Sequence, residues 1–374
     1  MLSKLKVQHY KSLFDVEVDL EPLTVFIGSN GSGKSNICEA LAVFSDFIQR
    51  LINSANINYE IIDFFQESLK TVSKNQQSLE SKFWHGKPDY LFFEVSTLAT
   101  TENTPSENNQ NLLDTDISVR LDYLQRAVCI TDFIGKYTNY LRESLIENKY
   151  GDSALDNSLK KVNVYDFSPV ALSSQSSSAG SMDRTGEGIA DALVDILHSN
   201  RTSFDELEAR LTRLVPNIQK IVLPRGKNQT FLLELVDKYS AHHIPASDIS
   251  DGTLRILAFL TALYQETTPS VICFEEIENG VHPWLLHKMM ELLKIVSTEG
   301  INDKPVQVLI TTHSPVLLNY VEAYQVRAVE LDQEGKTQVH KLPIDSLRFQ
   351  KALEAYDGEL GELWFTNVFG GNPA

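Results

Sequence analysis

The sequence predicts an α/β protein with a mostly parallel core sheet, an N-terminal antiparallel β subdomain and an inserted α+β/helical lobe. Three apolar runs, at residues 23–27, 271–274 and 308–310, predict the parallel core sheet. Such runs are typical of strands that are buried on both faces of a parallel sheet. Shorter strands are predicted at residues 5–10 and 16–20, where the second shows a clear alternation of apolar and polar residues.

The composition indicates a globular protein of a reducing compartment. The chain has 374 residues, of which 42% are hydrophobic, and this suits one elaborated domain or two lobes. Cys38, Cys129 and Cys273 lie far apart and show neither a metal-binding spacing nor a disulfide framework. The sequence has no apolar signal core and no run near the roughly 20 apolar residues of a membrane span, so it predicts a soluble, cytoplasmic protein without a membrane partner.

The formal net charge of −17 restricts the partners of the chain. A negative charge of this size repels nucleic acid and acidic membranes. The sequence contains no Lys/Arg tract that demands nucleic acid. Binding of DNA or RNA would therefore need a local basic groove or a basic partner protein.

Residues 28–35, Gly-Ser-Asn-Gly-Ser-Gly-Lys-Ser, match the phosphate-binding pattern G-x-x-x-x-G-K-[ST]. The predicted strand 23–27 precedes this loop, and a predicted helix at 36–52 follows it. Glycines let the backbone N–H groups turn inward, and the start of the helix adds partial positive charge. Lys34 would reach the β- and γ-phosphates, and the Ser35 hydroxyl would ligate Mg²⁺. The alternative is an ordinary glycine-rich turn, but the Lys-Ser pair and the flanking elements favour a nucleoside triphosphate site.

The segment at 53–165 is harder to interpret. Strands are predicted at 90–95 and 117–123, and the polar stretch 100–109 between them predicts an exposed hairpin loop. A serine-rich stretch at 173–181 predicts a surface loop, with a solvated linker favoured over a regulatory segment.

Three further elements are predicted in the second half of the chain. Ser203-Phe204-Asp205-Glu206 has the pattern of a capping box, which predicts a helix that starts at Ser203. Residues 218–223 and 231–236 predict a pair of strands. There is no internal repeat and no heptad run long enough for a coiled-coil arm.

Two carboxylates, Glu275 and Glu276, follow the apolar run at 271–274. Acidic groups at the end of a buried strand are costly unless a cation or a reaction requires them. Because successive strand residues point to opposite sides, the two carboxylates are expected to have different tasks. Glu275 is predicted to hold the Mg²⁺ shell, and Glu276 to orient and deprotonate the attacking water. The alternative is a structural acidic strand end.

Two polar groups complete the set of candidate residues. His313 follows the apolar run at 308–310, where it would donate a hydrogen bond to the γ-phosphate or to the water; a structural histidine is the alternative. Ser250 precedes a predicted helix with Leu254, Leu257, Ala258 and Thr261 along one face. With Gly252 permitting a close approach, Ser250 marks an anion site, and the alternative is a simple N-cap.

In this order, the motifs resemble the ABC-type ATPase heads of the SMC/RecF/OLD group. Within that group the chain is similar to the stand-alone predicted ATPases of bacteria and archaea, the AAA_15/AAA_21-like proteins without a TOPRIM domain. The resemblance covers residues 1–50 and about 160–345, and the segment between them is variable in the family. It rests on the motifs Tyr10-Lys11-Ser12-Leu13, Gly28 to Ser35, Ser250 to Arg255, Glu275 to Pro283, and Thr311 to Pro315.

The resemblance implies a role for each motif. Glu276, His313 and Lys34 are the catalytic residues, and Ser35 and Glu275 hold Mg²⁺. Asn279 and Gly280 fall in the D-loop region, and Ser250, Asp251 and Gly252 form the signature motif. The ATP-binding residues are Gly28, Ser29, Asn30, Gly31, Ser32, Gly33, Lys34 and Ser35 of Walker A, together with Asn36, Lys11 and the three signature residues.

The same resemblance implies a homodimer or a higher homo-oligomer. Such heads bind two ATP molecules between two subunits, and each signature helix caps the γ-phosphate held by the other subunit. The implied active unit is a head-to-tail dimer with two-fold symmetry.

The chain departs from the pattern at three points. Walker B has Glu275 where Asp is commoner, and the signature is Ser-Asp-Gly-Thr instead of a Ser-Gly-Gly form. Both forms also occur in this group. The glutamine of the Q-loop has no assigned position, which leaves one Mg²⁺ or water contact unassigned.

These observations predict four segments. Residues 1–52 carry the N-terminal part of the ATPase core with Walker A, and residues 53–165 form the variable inserted lobe. Residues 166–345 carry the signature, Walker B and His313. Residues 346–374 form a C-terminal tail that is predicted to pack on its own domain, with a partner-binding segment as the alternative.

Three functions agree with these motifs. The first is the ATPase subunit of a prokaryotic antiviral defence system that controls a separately encoded effector, such as a nuclease or TOPRIM-type protein, because no acidic Asp-x-Asp cluster follows residue 345. The alternative is a RecF-like repair or recombination ATPase that clamps DNA. The third is a scaffold that binds ATP and hardly hydrolyses it, which the presence of Glu276 and His313 disfavours.

Overall fold

The structure is a computed structural model that describes residues 1–53, 61–72, 82–83, 90–97, 115–122, 127–132, 158–174, 181–226, 230–265, 269–301 and 304–371. The predicted hairpin loop at 100–109 lies outside these ranges. The chain divides into two compact units. The first unit comprises Met1–Val164, Pro269–Cys273 and Val306–Ala374, and the second comprises Tyr165–Thr268 and Phe274–Pro305.

The strands and helices are numbered along the chain. The strands are β1 (Leu2–Tyr10), β2 (Leu13–Asp19), β3 (Leu23–Ile27), β4 (Tyr90–Thr97), β5 (Thr115–Asp122), β6 (Ala127–Asp132), β7 (Val162–Tyr165), β8 (Ile218–Val222), β9 (Glu234–Asp237), β10 (His243–Pro245), β11 (Val271–Glu275), β12 (Gln307–Thr312), β13 (Val326–Leu331) and β14 (Thr337–Lys341). The helices are α1 (Lys34–Asn53), α2 (Ile61–Val72), α3 (Pro169–Ser173), α4 (Ile189–Ser199), α5 (Arg201–Leu214), α6 (Asp251–Tyr264), α7 (Pro283–Thr298), α8 (Pro315–Leu318), α9 (Leu347–Ala355) and α10 (Leu360–Phe365).

The core sheet has six strands in the order β14-β13-β3-β12-β11-β7. Strands β12 and β13 run parallel to β3, and β14 pairs with β13 in antiparallel fashion. Every residue of β3, of β11 and of β12 is buried, which explains why these strands have apolar sequences without alternation. The predicted mostly parallel α/β core is confirmed.

The N-terminal sheet has the order β2-β1-β4-β5-β6, and its pairs are antiparallel. Its first two strands come from the start of the chain, and its other three come from the segment at 53–165. Helix α1 packs on this sheet, with the rings of Phe44 and Phe93 stacked at a centroid distance of 5.8 Å. The inserted segment therefore extends the antiparallel sheet that covers the helix after the phosphate-binding loop.

The second unit contains a small antiparallel sheet, β10-β9-β8, and helices α3 to α7. The predicted strand pair at 218–223 and 231–236 is found as β8 and β9, although β9 begins only at Glu234. Helix α6 is buried around nearly its whole circumference after Arg255, whereas a single apolar face was predicted. Its packing on all sides leaves no solvated face that would give a helical stripe.

The predicted capping box at Ser203 is wrong. Helix α5 begins at Arg201, and its N-cap is Asn200, whose side chain accepts a hydrogen bond from the Ser203 backbone N–H at 3.1 Å. Asn is as good an N-cap as Ser, and the earlier residue takes the position. Ser203 lies inside the first turn and is buried.

The C-terminal tail packs on its own unit, as predicted. Leu360, Leu363 and Trp364 of α10 are buried. The Gly361 backbone N–H donates to Asn319 Oδ1 at 2.8 Å, just after α8. A Cβ atom at Gly361 would lie 2.3 Å from the Pro315 carbonyl oxygen, so only glycine permits this close packing.

Among the described residues, no helix combines the length and the apolar character that crossing a membrane requires.

Candidate functional site

The phosphate-binding loop joins β3 to α1 in the first unit. Gly31 and Gly33 have φ angles of 78° and 104°, which lie in the left-handed region that favours glycine. A Cβ atom at Gly33 would lie 2.1 Å from Thr337 Oγ1, whereas one at Gly31 would meet nothing within 4 Å. The loop is thus pressed against β14 on one side and open on the other.

Lys34 points back into this loop. Its side-chain nitrogen donates to the carbonyl oxygens of Gly28 at 2.9 Å and of Ser29 at 2.8 Å, and the residue is only 5% exposed. The buried hydroxyl of Ser32 has no hydrogen-bond partner among the described residues. A buried ammonium group and a buried hydroxyl in a loop of this shape fit a bound phosphate group, so the residues present suit a nucleotide.

The turn between β1 and β2 supports the loop from outside. Ser12 Oγ accepts a hydrogen bond from Asn36 Nδ2 at 2.8 Å. Thr337 Oγ1 lies 2.8 Å from Ser12 Oγ and 2.9 Å from the Ser32 carbonyl oxygen. Asn36, which was predicted to bind nucleotide, therefore faces Ser12 in this structure, and Thr337 is a supporting residue that the sequence did not reveal.

Glu39 lies beneath the loop, on α1, and is buried. Its carboxylate oxygens accept from Tyr10 Oη at 2.6 Å and from Lys11 Nζ at 2.7 Å, and Lys82 Nζ lies at 3.3 Å. Burial raises the pKa of the Glu39 carboxyl, but the Lys11 and Lys82 charges and the hydrogen bonds from Lys11 and Tyr10 outweigh it and lower the pKa to about 2. The Lys11 ammonium, predicted to contact ATP, is thus paired with Glu39.

His313 belongs to the same unit as the loop. Thr312 at the end of β12 lies opposite Ile27 at the end of β3, so the next residues, His313 and Gly28, leave neighbouring parallel strands at the same edge. His313 is half-buried. His313 therefore lies at the same sheet edge as the phosphate-binding loop, and its hydrogen bond to the γ-phosphate or to the water stays a prediction.

In the second unit, Glu275 is the last residue of β11, and its side chain is only 3% exposed. Arg184 Nη2 donates to Glu275 Oε1 at 2.5 Å, and the Arg184 side chain is itself only 14% exposed. The predicted metal ligand is therefore held by a charge-assisted hydrogen bond. Arg184 follows the serine-rich stretch, and no sequence motif marked it.

Glu276 lies just beyond the end of the strand. Its φ angle is 48°, an uncommon value for a residue other than glycine. Asn279 closes the turn twice, because its side-chain Nδ2 donates to Glu276 Oε2 at 2.6 Å and its backbone N–H donates to the Glu276 carbonyl oxygen at 3.0 Å. The two carboxylates were expected to diverge because strand residues alternate, but β11 ends at Glu275 and the turn directs Glu276.

The predicted signature residues start α6. Ser250 is the N-cap, and its hydroxyl accepts from the Thr253 backbone N–H at 3.4 Å. Ser250 and Asp251 are exposed. A Cβ atom at Gly252 would lie 2.6 Å from the Gly280 carbonyl oxygen, so the start of α6 and the turn after Glu276 are in close contact. The sequence predicted that Gly252 permits the approach of an anion; in this structure, the group that lies against Gly252 is the Gly280 backbone of the same unit, and the anion site stays a prediction.

The candidate residues fall into two sets. The first unit holds Lys11, Gly28 to Asn36 and His313, and the second holds Ser250 to Gly252, Glu275 and Glu276. Within the described residues, no group of three or more His, Cys, Asp or Glu side chains could hold a metal ion. Mg²⁺ in a phosphate-binding loop needs no such group, since a hydroxyl, a carboxylate, phosphate oxygens and waters supply its ligands.

Sequence comparisons match both sets. Residues 1–59 match the family described as "AAA ATPase domain", and residues 151–319 match the family described as "AAA domain, putative AbiEii toxin, Type IV TA system". Every candidate site residue lies within one of these two matches. The segment between the two matches, residues 60–150, lies within the predicted variable lobe at 53–165.

Two curated relatives were found. An ATP/GTP phosphatase of Helicobacter pylori (strain ATCC 700392 / 26695) is 23% identical over 395 residues, which covers 98% of each chain. An OLD nuclease of Thermus scotoductus (strain ATCC 700910 / SA-01) is 33% identical over 64 residues, which is 17% of this chain and 12% of that protein.

Solved structures share the fold. An SMC head bound to the C-terminal winged-helix domain of ScpA superposes with a TM-score of 0.56 at 15% identity, covering 94% of this chain and 99% of that chain. The SMC head of Pyrococcus furiosus with an extended coiled coil, bound to the C-terminal domain of ScpA, gives a TM-score of 0.54 at 12% identity, covering 95% and 99%. At these identities the two structures show a shared fold, that of SMC heads, and with the motifs and the two family matches the chain is similar to ATPases of the SMC/OLD-like type.

Proposed function

We propose that this protein binds and hydrolyses ATP and acts as a dimeric switch. In the proposed reaction, Lys34 holds the β- and γ-phosphates, and the Ser250 end of α6 caps the γ-phosphate bound by a second copy. Glu276 orients the attacking water and takes its proton, and His313 donates a hydrogen bond to the γ-phosphate or to the water. Ser35 and Glu275 would hold Mg²⁺, which would supply positive charge to neutralise the phosphate oxygens.

The exposed start of α6 is the observation that best supports the proposed dimer. Helix α6 has 14 residues, and its N-terminus presents Ser250 and Asp251 to solvent although the rest of the helix is almost wholly buried. The N-terminus of such a helix carries partial positive charge and unsatisfied N–H groups, which attract an anion. The γ-phosphate of an ATP molecule bound by a second copy of the chain would be such an anion.

We further propose that the switch controls a separately encoded effector, such as a nuclease, in prokaryotic antiviral defence. Two similarities support this role, one to an OLD nuclease and one to a family whose description names a toxin of a toxin–antitoxin system. A two-state dimer biased by the γ-phosphate is the type of element that gates a partner enzyme.

The test combines mass photometry with ATP turnover. The purified protein is measured alone, with the product of the neighbouring gene, and with or without DNA. The proposal expects a stable complex whose nuclease activity depends on ATP. DNA-stimulated turnover and ATP-dependent dimers without any complex would contradict the effector role and support a RecF-like clamp instead.

A further inference from the structure

The Arg184–Glu275 ion pair joins the predicted metal carboxylate to a residue outside the recognised motifs. Both side chains are largely buried, and their closest atoms are 2.5 Å apart. A buried carboxylate is stable only with a counter-charge or good hydrogen bonds. Arg184 supplies both within the second unit.

The loop that carries Arg184 has a well-defined shape. Asp183 Oδ1 accepts from the backbone N–H groups of Thr185 at 2.8 Å and Glu187 at 2.9 Å, and from the Thr185 hydroxyl at 2.8 Å. Gly186 has a φ angle of 96°, and a Cβ atom there would lie 2.3 Å from Leu172 Cδ2. These constraints fix the loop on both sides of Arg184.

The backbone of Arg184 is also anchored beside β11. The Asp166 backbone N–H donates to the Arg184 carbonyl oxygen at 2.8 Å, and the Ser168 backbone N–H donates to that of Thr185 at 2.9 Å. Asp166 follows β7, which is the neighbour of β11 in the core sheet. The side chain of Arg184 therefore reaches Glu275 from a backbone that is already held in place, which reduces the entropy lost on pairing.

We infer that Arg184 is a positioning residue for Glu275, which it holds in place before the metal arrives and releases to Mg²⁺ when the metal binds. A guanidinium group and a divalent cation that share one buried carboxylate repel each other, so the two compete for it. The inference rests on the proposed use of Mg²⁺–ATP. Breaking the Arg184–Glu275 ion pair would then be part of the free-energy cost of metal binding.

The test measures binding without turnover. A fluorescent, non-hydrolysable ATP analogue, mant-AMPPNP, is titrated into the full-length protein in Mg²⁺ and, separately, in EDTA. Arg184→Met removes the charge, and Arg184→Gln keeps a hydrogen-bond donor for Glu275. Both variants are expected to bind the analogue about tenfold more tightly in Mg²⁺, with no gain in EDTA, because the competing charge is gone.

Two controls distinguish competition from a general change. Arg201→Gln removes an exposed arginine of the same unit, paired with Asp205 at 2.9 Å, and should change neither affinity. In a Glu275→Gln background, the gain from Arg184→Gln should disappear, because the shared carboxylate is absent.

The inference fails if both Arg184 variants bind the analogue equally or more weakly in Mg²⁺. If the affinity for mant-AMPPNP falls equally in Mg²⁺ and in EDTA, the result would instead indicate that Arg184 contacts the phosphates directly. If the unchanged protein does not bind mant-AMPPNP under either condition, the proposed function fails first. Should Arg184→Met fail to fold, Arg184→Gln still decides the question.

Discussion

Lys34 donates to two carbonyl oxygens of its own loop, and a phosphate group would offer the same ammonium stronger acceptors. Charge-assisted hydrogen bonds are each worth about 1.5–3 kcal/mol, so Lys34→Ala is expected to weaken ATP binding by roughly a hundredfold or to abolish turnover. Fluorescent nucleotide binding and phosphate release measure the two effects.

The control for this substitution is Lys4→Ala. Lys4 is exposed and pairs with Glu17 at 2.8 Å on the N-terminal sheet, so its loss should leave ATP binding unchanged. Hydrolysis at the normal rate in Lys34→Ala would refute the assignment of the site.

Glu39 gives a prediction about pH. Its pKa of about 2 in the folded protein lies below the ordinary value of 4.5, so its ion pairs stabilise the fold at any pH above 4.5. This contribution is lost as the pH falls from about 4.5 towards 2. At neutral pH, Glu39→Gln is expected to lower the free energy of unfolding by an amount on the order of 3 kcal/mol.

Thermal or urea unfolding at several pH values measures this contribution. The difference between the protein and Glu39→Gln should shrink as the pH falls below 4.5. Glu17→Gln, at an exposed position, should show a small difference at every pH. A constant difference across the acid range would mean that packing, and not charge, stabilises Glu39.

The contact between Gly252 and Gly280 links two elements of the second unit, α6 and the turn after β11. Gly252→Ala would place a Cβ atom 2.6 Å from a backbone oxygen, so one element must move. Small displacements of catalytic groups cost up to about a hundredfold in rate. We expect Gly252→Ala to lower kcat strongly while leaving the ATP affinity of the monomer near its original value, since the phosphate-binding loop with Lys34 belongs to the first unit and Gly252 would act only on ATP bound by a second copy.

Steady-state kinetics separate these two effects. Gly226→Ala is the matched control, because its Cβ atom would meet only side-chain atoms at 3.2–3.3 Å, and these can adjust. If kcat falls by the same amount in both glycine variants, the contact between Gly252 and Gly280 has no special importance for catalysis.

At the level of elements, the apolar strands were the most predictable part of the fold. The range at 23–27 coincides with β3, and the other two runs lie within β11 and β12. Their burial on both faces imposes an apolar composition that is visible in the sequence. The start of α5 was not predictable, because Asn200 and Ser203 are both good N-caps and tertiary context chose between them.

The motifs of the candidate site were predictable from the sequence, but the residues that hold these motifs in place were not. Gly28 to Ser35 form a local pattern, whereas Arg184 and Glu275 are 91 positions apart and Thr337 and Ser32 are 305 apart. Arginine and threonine are common surface residues, so only the fold reveals these pairs. The backbone conformation of Glu276 was also hidden, since it depends on the turn that Asn279 closes.

At the level of the whole molecule, the proposed switch predicts ATP-dependent association. Glu276→Gln keeps the size of the side chain but cannot take a proton from water, so it should bind ATP and accumulate as a closed dimer. Sedimentation velocity with and without ATP measures this association. If Glu276→Gln binds ATP and stays monomeric, the shared-site dimer is wrong for this protein.

The contacts of Thr337 have a consequence for biosynthesis. Strand β14 supplies the side chain that closes against Ser12 and Ser32, 325 and 305 positions earlier in the chain. During synthesis, Gly28 to Ser35 therefore leave the ribosome long before Thr337, whose contacts hold this loop in shape, has been added to the chain. A nascent or truncated chain that ends before β14 would carry all of Gly28 to Ser35 without the Thr337 contacts, so we expect it to bind ATP more weakly than a chain that includes β14.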